Sequence, residues 1–211
     1  MWTVIFVQCY LKWGNLVVGG VLILITIVVI ATAFSLQKTW HAVRTLRARC
    51  ATELSQLSGH LANHHLIVSH LVDSLPETFA NQFDRAELTA VRERAERSIH
   101  SIDTSCPRAT EMRKFSIHQK ELFESVESLT ERLTESPSVF DIQSVSGCLQ
   151  GLTDANQTIS DATSAYNAAV ITYSTYLESP QSSLIARIFK SQAEFCMVDL
   201  GQYSTGSSAY N

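Results

Sequence analysis

From Leu16 to Leu36 the chain reads LVVGGVLILITIVVIATAFSL, 21 residues without a charge. At about 1.5 Å per residue this crosses a hydrocarbon layer of roughly 30 Å. Leu16, Val21, Ile25, Ile30 and Leu36 mark a segment apolar on every face, which predicts a membrane span rather than one stripe of a soluble helix. Beyond it the apolar positions become periodic. Leu54, Leu57, Leu61, Val68, Leu71 and Leu75 recur at spacings of three, four and seven, so the membrane helix is expected to run on into a first bundle helix. Ser74 and Pro76 read as the N-cap and early-turn proline of a second, striped by Phe79, Phe83, Ala86, Val91, Ala95, Ile99 and Ile102. Cys106-Pro107 breaks it. A third stripe follows in Met112, Phe115, Leu122, Val126, Leu129 and Leu133, ended by Ser136-Pro137-Ser138. The fourth is the longest: Ile142, Val145, Leu149, Leu152, Ile159, Tyr166, Val170, Tyr173 and Leu177, with Asn156 and Thr163 in two seam positions, as far as Ser179-Pro180.

The fold class expected is all-α, a single N-terminal transmembrane helix followed by an antiparallel up-and-down four-helix bundle. Residues 1–15 form a short apolar segment, 16–36 the span, 37–200 the bundle and 201–211 a disordered tail. Leu184 to Phe189, rich in large apolar side chains, are expected to fold back on the bundle as a hook.

A cleaved signal would need a positive start, a shorter apolar run and a small-residue cleavage site, whereas here MWTVIFVQCYL precedes the span and no such site follows. The segment therefore reads as a retained signal anchor. Trp13 and Trp40 stand at its two ends as interface anchors, together with Lys38 and Arg44. Lys38, Arg44, Arg47 and Arg49 precede the first acid, Glu53, so the positive-inside rule places the following domain in the cytoplasm of a cell with an inner membrane.

Charge adds one asymmetry. The whole chain carries 16 Lys and Arg against 20 Asp and Glu, a formal charge of -4, which gives nucleic acid no basic surface. Between Glu121 and Glu178 there are nine acids and one base, Arg132, the pattern of a solvated helix face. Cys9, Cys50, Cys106, Cys148 and Cys196 are odd in number and never spaced C-x-x-C, so neither a zinc site nor a disulfide framework is expected.

Candidate chemistry is sparse. His60 and His64 share a helix face at i, i+4, with His65 beside them, but the glutamate of H-E-x-x-H is missing and only His100 and His118 offer further ligands. Solvated or partly packed histidines without metal are the expectation. No Glu-x-x-His, phosphate-cradling glycine loop or nucleophile elbow occurs, so neither catalytic residues nor a cofactor is expected. Tyr166, Tyr173 and Tyr176 read as packing residues, and Asn167, beside a seam residue, as a partly buried amide that fixes helix register.

Two segments carry a resemblance. Leu46 to Leu75 resembles the first cytoplasmic helix of the LemA family, with Leu46, Arg47, Leu61, Leu71, Val72 and Leu75 matching its L-R-x-x-V start and its L-x-x-R-x-x-L-I-P-x-L-V-x-x-V run. AYNAAVITYSTYLESPQSSLIARIF is similar to the family's F-Y-N-x-A-V segment and apolar hook through Tyr166, Asn167, Ala169, Val170, Tyr173, Leu184, Ala186 and Phe189. Leu54 stands where the family has tryptophan, Ser69 where it has proline, and Asn63 and His64 where it has basic residues. The resemblance implies a divergent single-pass inner-membrane protein with a cytoplasmic helical bundle and no established catalytic activity. The expected role is a non-enzymatic interaction or scaffold module. Its partners are lipid around the N-terminal helix, an unidentified protein and further copies of itself, without nucleic acid. The alternative is a single-pass sensor or signalling accessory, for which only about 15 residues precede the span.

Overall fold

The computed structural model describes residues 2–76, 85–105, 107–135, 143–179 and 195–200, with side chains from Leu22 onward. The described residues form four helices: α1 (Trp2–Ser74), α2 (Arg85–Ser101), α3 (Ala109–Thr134) and α4 (Gln143–Glu178). No strand occurs among the described residues. The chain divides into two units, Met1–Arg44 and Thr45–Asn211.

Among the described residues α1 alone is long and apolar enough to cross a membrane, by length and composition, and its apolar part lies in the first unit. Every side chain from Leu22 to Lys38 is exposed, Ile25, Ile30 and Leu36 among them. The hydroxyls along this stretch fold back on their own helix: Thr26 donates to the carbonyl of Leu22 at 2.8 Å, Thr32 to Val29 at 2.9 Å and Ser35 to Ala31 at 2.9 Å. Such bonds satisfy a polar group that hydrocarbon would leave without a partner. Of the interface anchors, Lys38 sets its ammonium 5.0 Å from the centroid of the Phe34 ring, and Trp40 and Arg44 are exposed. The side chains of Trp13, Leu16 and Val21 lie outside the described set.

In the second unit the helices form an antiparallel up-and-down bundle. Arg85, at the start of α2, donates to the carbonyl of Val72 near the end of α1, and the Arg47 guanidinium, lower on α1, reaches the carbonyl of Ser105 after α2 at 3.0 Å. α2 therefore runs back along α1. The ion pair of Arg94 with Glu121, at 3.1 Å, joins α2 to α3. On α4, a Cβ at Gly151 would lie 3.7 Å from the Ile67 side chain of α1, so these two helices approach to ordinary contact.

The expected stripes form the core. Leu54, Leu57, Leu61, Val68, Leu71 and Leu75 of α1 are buried, as are all six expected positions of α3. In α4 Val145, Leu152, Ile159, Tyr166, Val170 and Tyr173 are buried, while Leu149 and Leu177 are partly covered. One cluster joins all four helices through Val68 and Leu71 of α1, Leu88 and Val91 of α2, Leu122 and Leu129 of α3, and Val145 and Leu152 of α4. The acidic face is solvated where described: Glu124, Glu127, Glu131, Asp154 and Asp161 are all exposed.

Three local expectations are corrected. Ser74 does not cap α2; it is the last residue of α1 and its hydroxyl donates to the carbonyl of His70 at 2.7 Å. Ala86 is exposed and Leu88 takes the buried place, because α2 starts at Arg85 and its inner face runs through Leu88, Val91 and Ala95. His64 and His65 are buried rather than solvated. The break at Cys106-Pro107 holds, with α2 ending at Ser101 and α3 starting at Ala109. Phe79, Phe83, Ile142, the Leu184–Phe189 hook and the tail from Gly201 lie outside the described residues.

Candidate functional site

Two stripes have polar residues where the heptad spacing calls for a core side chain. Between Leu61 and Val68 of α1 stand His64 and His65, and between Phe115 and Leu122 of α3 stands Gln119. His65 and Gln119 meet in the core. The amide nitrogen of Gln119 donates to the carbonyl of Ala95 at 2.9 Å and to the hydroxyl of Ser98 at 3.2 Å. A carbonyl only accepts, so this fixes the amide orientation, and the remaining oxygen Oε1 must accept from Nε2 of His65 at 3.0 Å. The chain from His65 through Gln119 to Ser98 thus ties α1, α3 and α2 by one side chain.

His64 differs. It is fully buried, its ring lies 4.6 Å from that of Phe123, and neither ring nitrogen has a hydrogen-bond partner. Burial, and then the neighbouring His65, push its pKa down to about 3, which keeps the imidazole neutral. His65 is also lowered, by burial, with its bond to Gln119 opposing. His60 is exposed while His64, one turn on, is buried, and among the described residues no group of three His, Cys, Asp or Glu is placed to hold a metal.

The Gln119 network yields a measurable expectation. Gln119→Leu keeps the volume but strands the Nε2–H of His65, which costs about 1 to 3 kcal/mol. Adding His65→Leu should recover much of that loss, since removing both partners leaves nothing to satisfy. Urea unfolding of the full chain in detergent, read as a double-mutant cycle, will show it; additive losses would mean that the two side chains do not act as a pair.

The best-built polar geometry lies around Tyr166 and Asn167. Here α3 and α4 hold the segment Phe195–Leu200, which forms neither helix nor strand and alternates exposed and buried side chains from Met197 to Leu200. The amide of Asn167 grips Val198 from both sides, Nδ2 donating to its carbonyl and Oδ1 accepting from its N–H, each at 2.9 Å. Tyr166 donates its hydroxyl to the carbonyl of Cys196 at 3.0 Å, and Ser116 of α3 donates to the carbonyl of Asp199 at 2.7 Å. Val198 and Leu200 are 2% and 3% exposed, whereas Met197 between them is 63% exposed. Phe195 meets Tyr173 edge to face, with centroids 5.7 Å apart. Burial raises the Tyr166 pKa and pushes the Cys50 thiol up to about 11, so both remain protonated and unreactive near neutrality.

The register role expected of Asn167 is therefore corrected: its amide reads the backbone of a segment 31 residues away. Ala169 and Val170 are buried beside it, as Leu71 and Val72 are on α1, while Leu46 and Arg47 are partly exposed. Among the shallow grooves on α2 and α3, two are lined by charged side chains. One, of about 390 Å³, is lined by Glu87, Glu121, Glu124 and Arg132 over Leu88 and Leu129; the other, of about 250 Å³, by Arg94, Arg97, Lys114 and His118.

No family model matches this chain, and neither does any curated protein or solved structure.

Proposed function

We propose that the chain is a single-pass membrane protein of the LemA type whose helical bundle lies on the cytoplasmic face of the inner membrane and works there as a non-enzymatic interaction or scaffold module. The observation that carries this reading is the stretch from Leu22 to Leu36, in which every side chain is exposed and only Thr26, Thr32 and Ser35 carry a hydroxyl, each turned back on its own helix. An apolar surface of that extent is stable in hydrocarbon and costly in water. The basic run from Lys38 to Arg49 favours retention of that flank inside. Support for a binding role rather than catalysis comes from the polar groups of the bundle: Gln119, His65, Tyr166 and Asn167 are engaged with backbone or with one another, and Tyr166 and Cys50 are held protonated.

Topology is tested by a reporter fused after Leu200. It should behave as retained in the cytoplasm, and export would overturn the orientation. The interaction role is tested by cross-linking in intact membranes, where the full chain should be recovered in complexes of fixed size. Recovery as monomer alone would count against it.

A further inference from the structure

We propose that the cleft formed by Ser116 of α3 and Tyr166 and Asn167 of α4 is a recognition site for an extended peptide segment of a partner protein, occupied here by the chain's own Phe195–Leu200. This deepens the interaction reading and rests on it.

The bound segment states the ligand chemistry. Three side chains make four hydrogen bonds, all to main-chain groups of Cys196, Val198 and Asp199. Contacts to backbone accept many sequences. Selectivity then falls to the side chains turned inward, as in other modes that bind extended chains with alternate residues in pockets. Val198 and Leu200 fill the cleft and Phe195 packs on Tyr173, while Met197 and Asp199 face solvent. The partner segment is therefore extended, with aliphatic side chains at i and i+2 and an aromatic one at i-3. The two-sided grip of Asn167 on one residue fixes both the position and the direction of the peptide.

The resident segment is an internal competitor. It is joined covalently to α4, with fifteen residues between Ser179 and Phe195, so it competes as an intramolecular ligand. A partner must exceed it. Weak segments are then excluded, and any event that removes Val198 from the cleft raises affinity for the rest.

The probe is a fluorescein-labelled hexapeptide with the sequence of Phe195 to Leu200, added under reducing conditions to the full chain in detergent micelles. Val198→Asp expels the resident segment, since a carboxylate will not stay in that pocket. The peptide should bind this variant about tenfold or more tightly than the unaltered chain. Adding Asn167→Ala to the variant should abolish binding. Equal binding to both chains, no binding to a folded Val198→Asp chain, or binding that survives Asn167→Ala would each overturn the proposal. If Val198→Asp fails to fold, hydrogen exchange on the unaltered chain decides: excess peptide should speed exchange across 195–200, and unchanged exchange refutes displacement. Dimers of the unaltered chain that exchange this segment, with no gain of peptide binding in the variant, would assign the cleft to a second copy instead. The two readings fail separately. Lack of peptide binding with cross-linked complexes still present removes this site alone, and peptide binding by a chain that is monomeric in membranes removes the interaction role alone.

Discussion

Leu152→Ala will lower the stability of the bundle by about 2 to 5 kcal/mol, toward the upper part of that range. The loss combines the transfer free energy of the deleted atoms with the cavity they leave, and the second term depends on how far the neighbours can close in. Here they cannot close far. Leu152 is 4% exposed in the cluster that joins all four helices. The helices around it are each held by their own buried side chains, Val68 and Leu71 on α1, Leu122 and Leu129 on α3, so the void persists. Chemical unfolding of the full chain in detergent, followed by far-UV circular dichroism, measures the effect. Thr153→Ala, one residue along and exposed, is the control and should stay within about 0.5 kcal/mol of the unaltered chain. A loss below about 1 kcal/mol for Leu152→Ala would mean that the four helices do not share one core there.

The helical stripes were legible because burial in a bundle repeats every three or four residues, and the amino-acid order displays that period directly. Leu54 to Leu75, Met112 to Leu133 and Val145 to Tyr173 lie inside as their spacing requires. The polar members of the core were less so. His64 and His65 resemble surface residues by type, yet the gap of seven between Leu61 and Val68 leaves a place on the inner face that only they can fill. Gln119 stands in the same relation to Phe115 and Leu122. Position in the stripe was the usable signal, and residue type obscured it. The cleft that holds Phe195–Leu200 had no local signature. Its bonds run from side chains of α3 and α4 to the backbone of a segment 30 to 83 residues away, and no periodicity encodes a contact made by main-chain groups of a segment without helix or strand. Only the alternation of Val198 and Leu200 around a polar Asp199 hinted at one.

Acidification will destabilise the bundle before most carboxylates titrate, and His64 will be the main cause. Its imidazole has an ordinary pKa of 6.5 when the chain is unfolded and about 3 in the fold, lowered by burial and then by His65. The unfolded chain therefore binds the proton first, and linkage makes stability fall as pH drops. The stability associated with the neutral ring is complete above 6.5 and is lost progressively down to about 3. One such proton contributes about 1.4 kcal/mol per pH unit, or about 2 kcal/mol by pH 5. His65 is lowered in the same sense by burial; its bond to Gln119 and the charge of Glu96 oppose that shift, and Arg92 adds to it. The decisive comparison is His64→Leu, which removes the charge change and the two unpartnered ring nitrogens together. At neutral pH that variant should be as stable as the unaltered chain or more so, because an apolar side chain replaces a polar one with nothing to bond. Between pH 7 and pH 5 its melting temperature should fall much less steeply. Parallel slopes in the two proteins would show that His64 meets water or a proton acceptor in the folded state, and that its burial beside Phe123 is not maintained in solution.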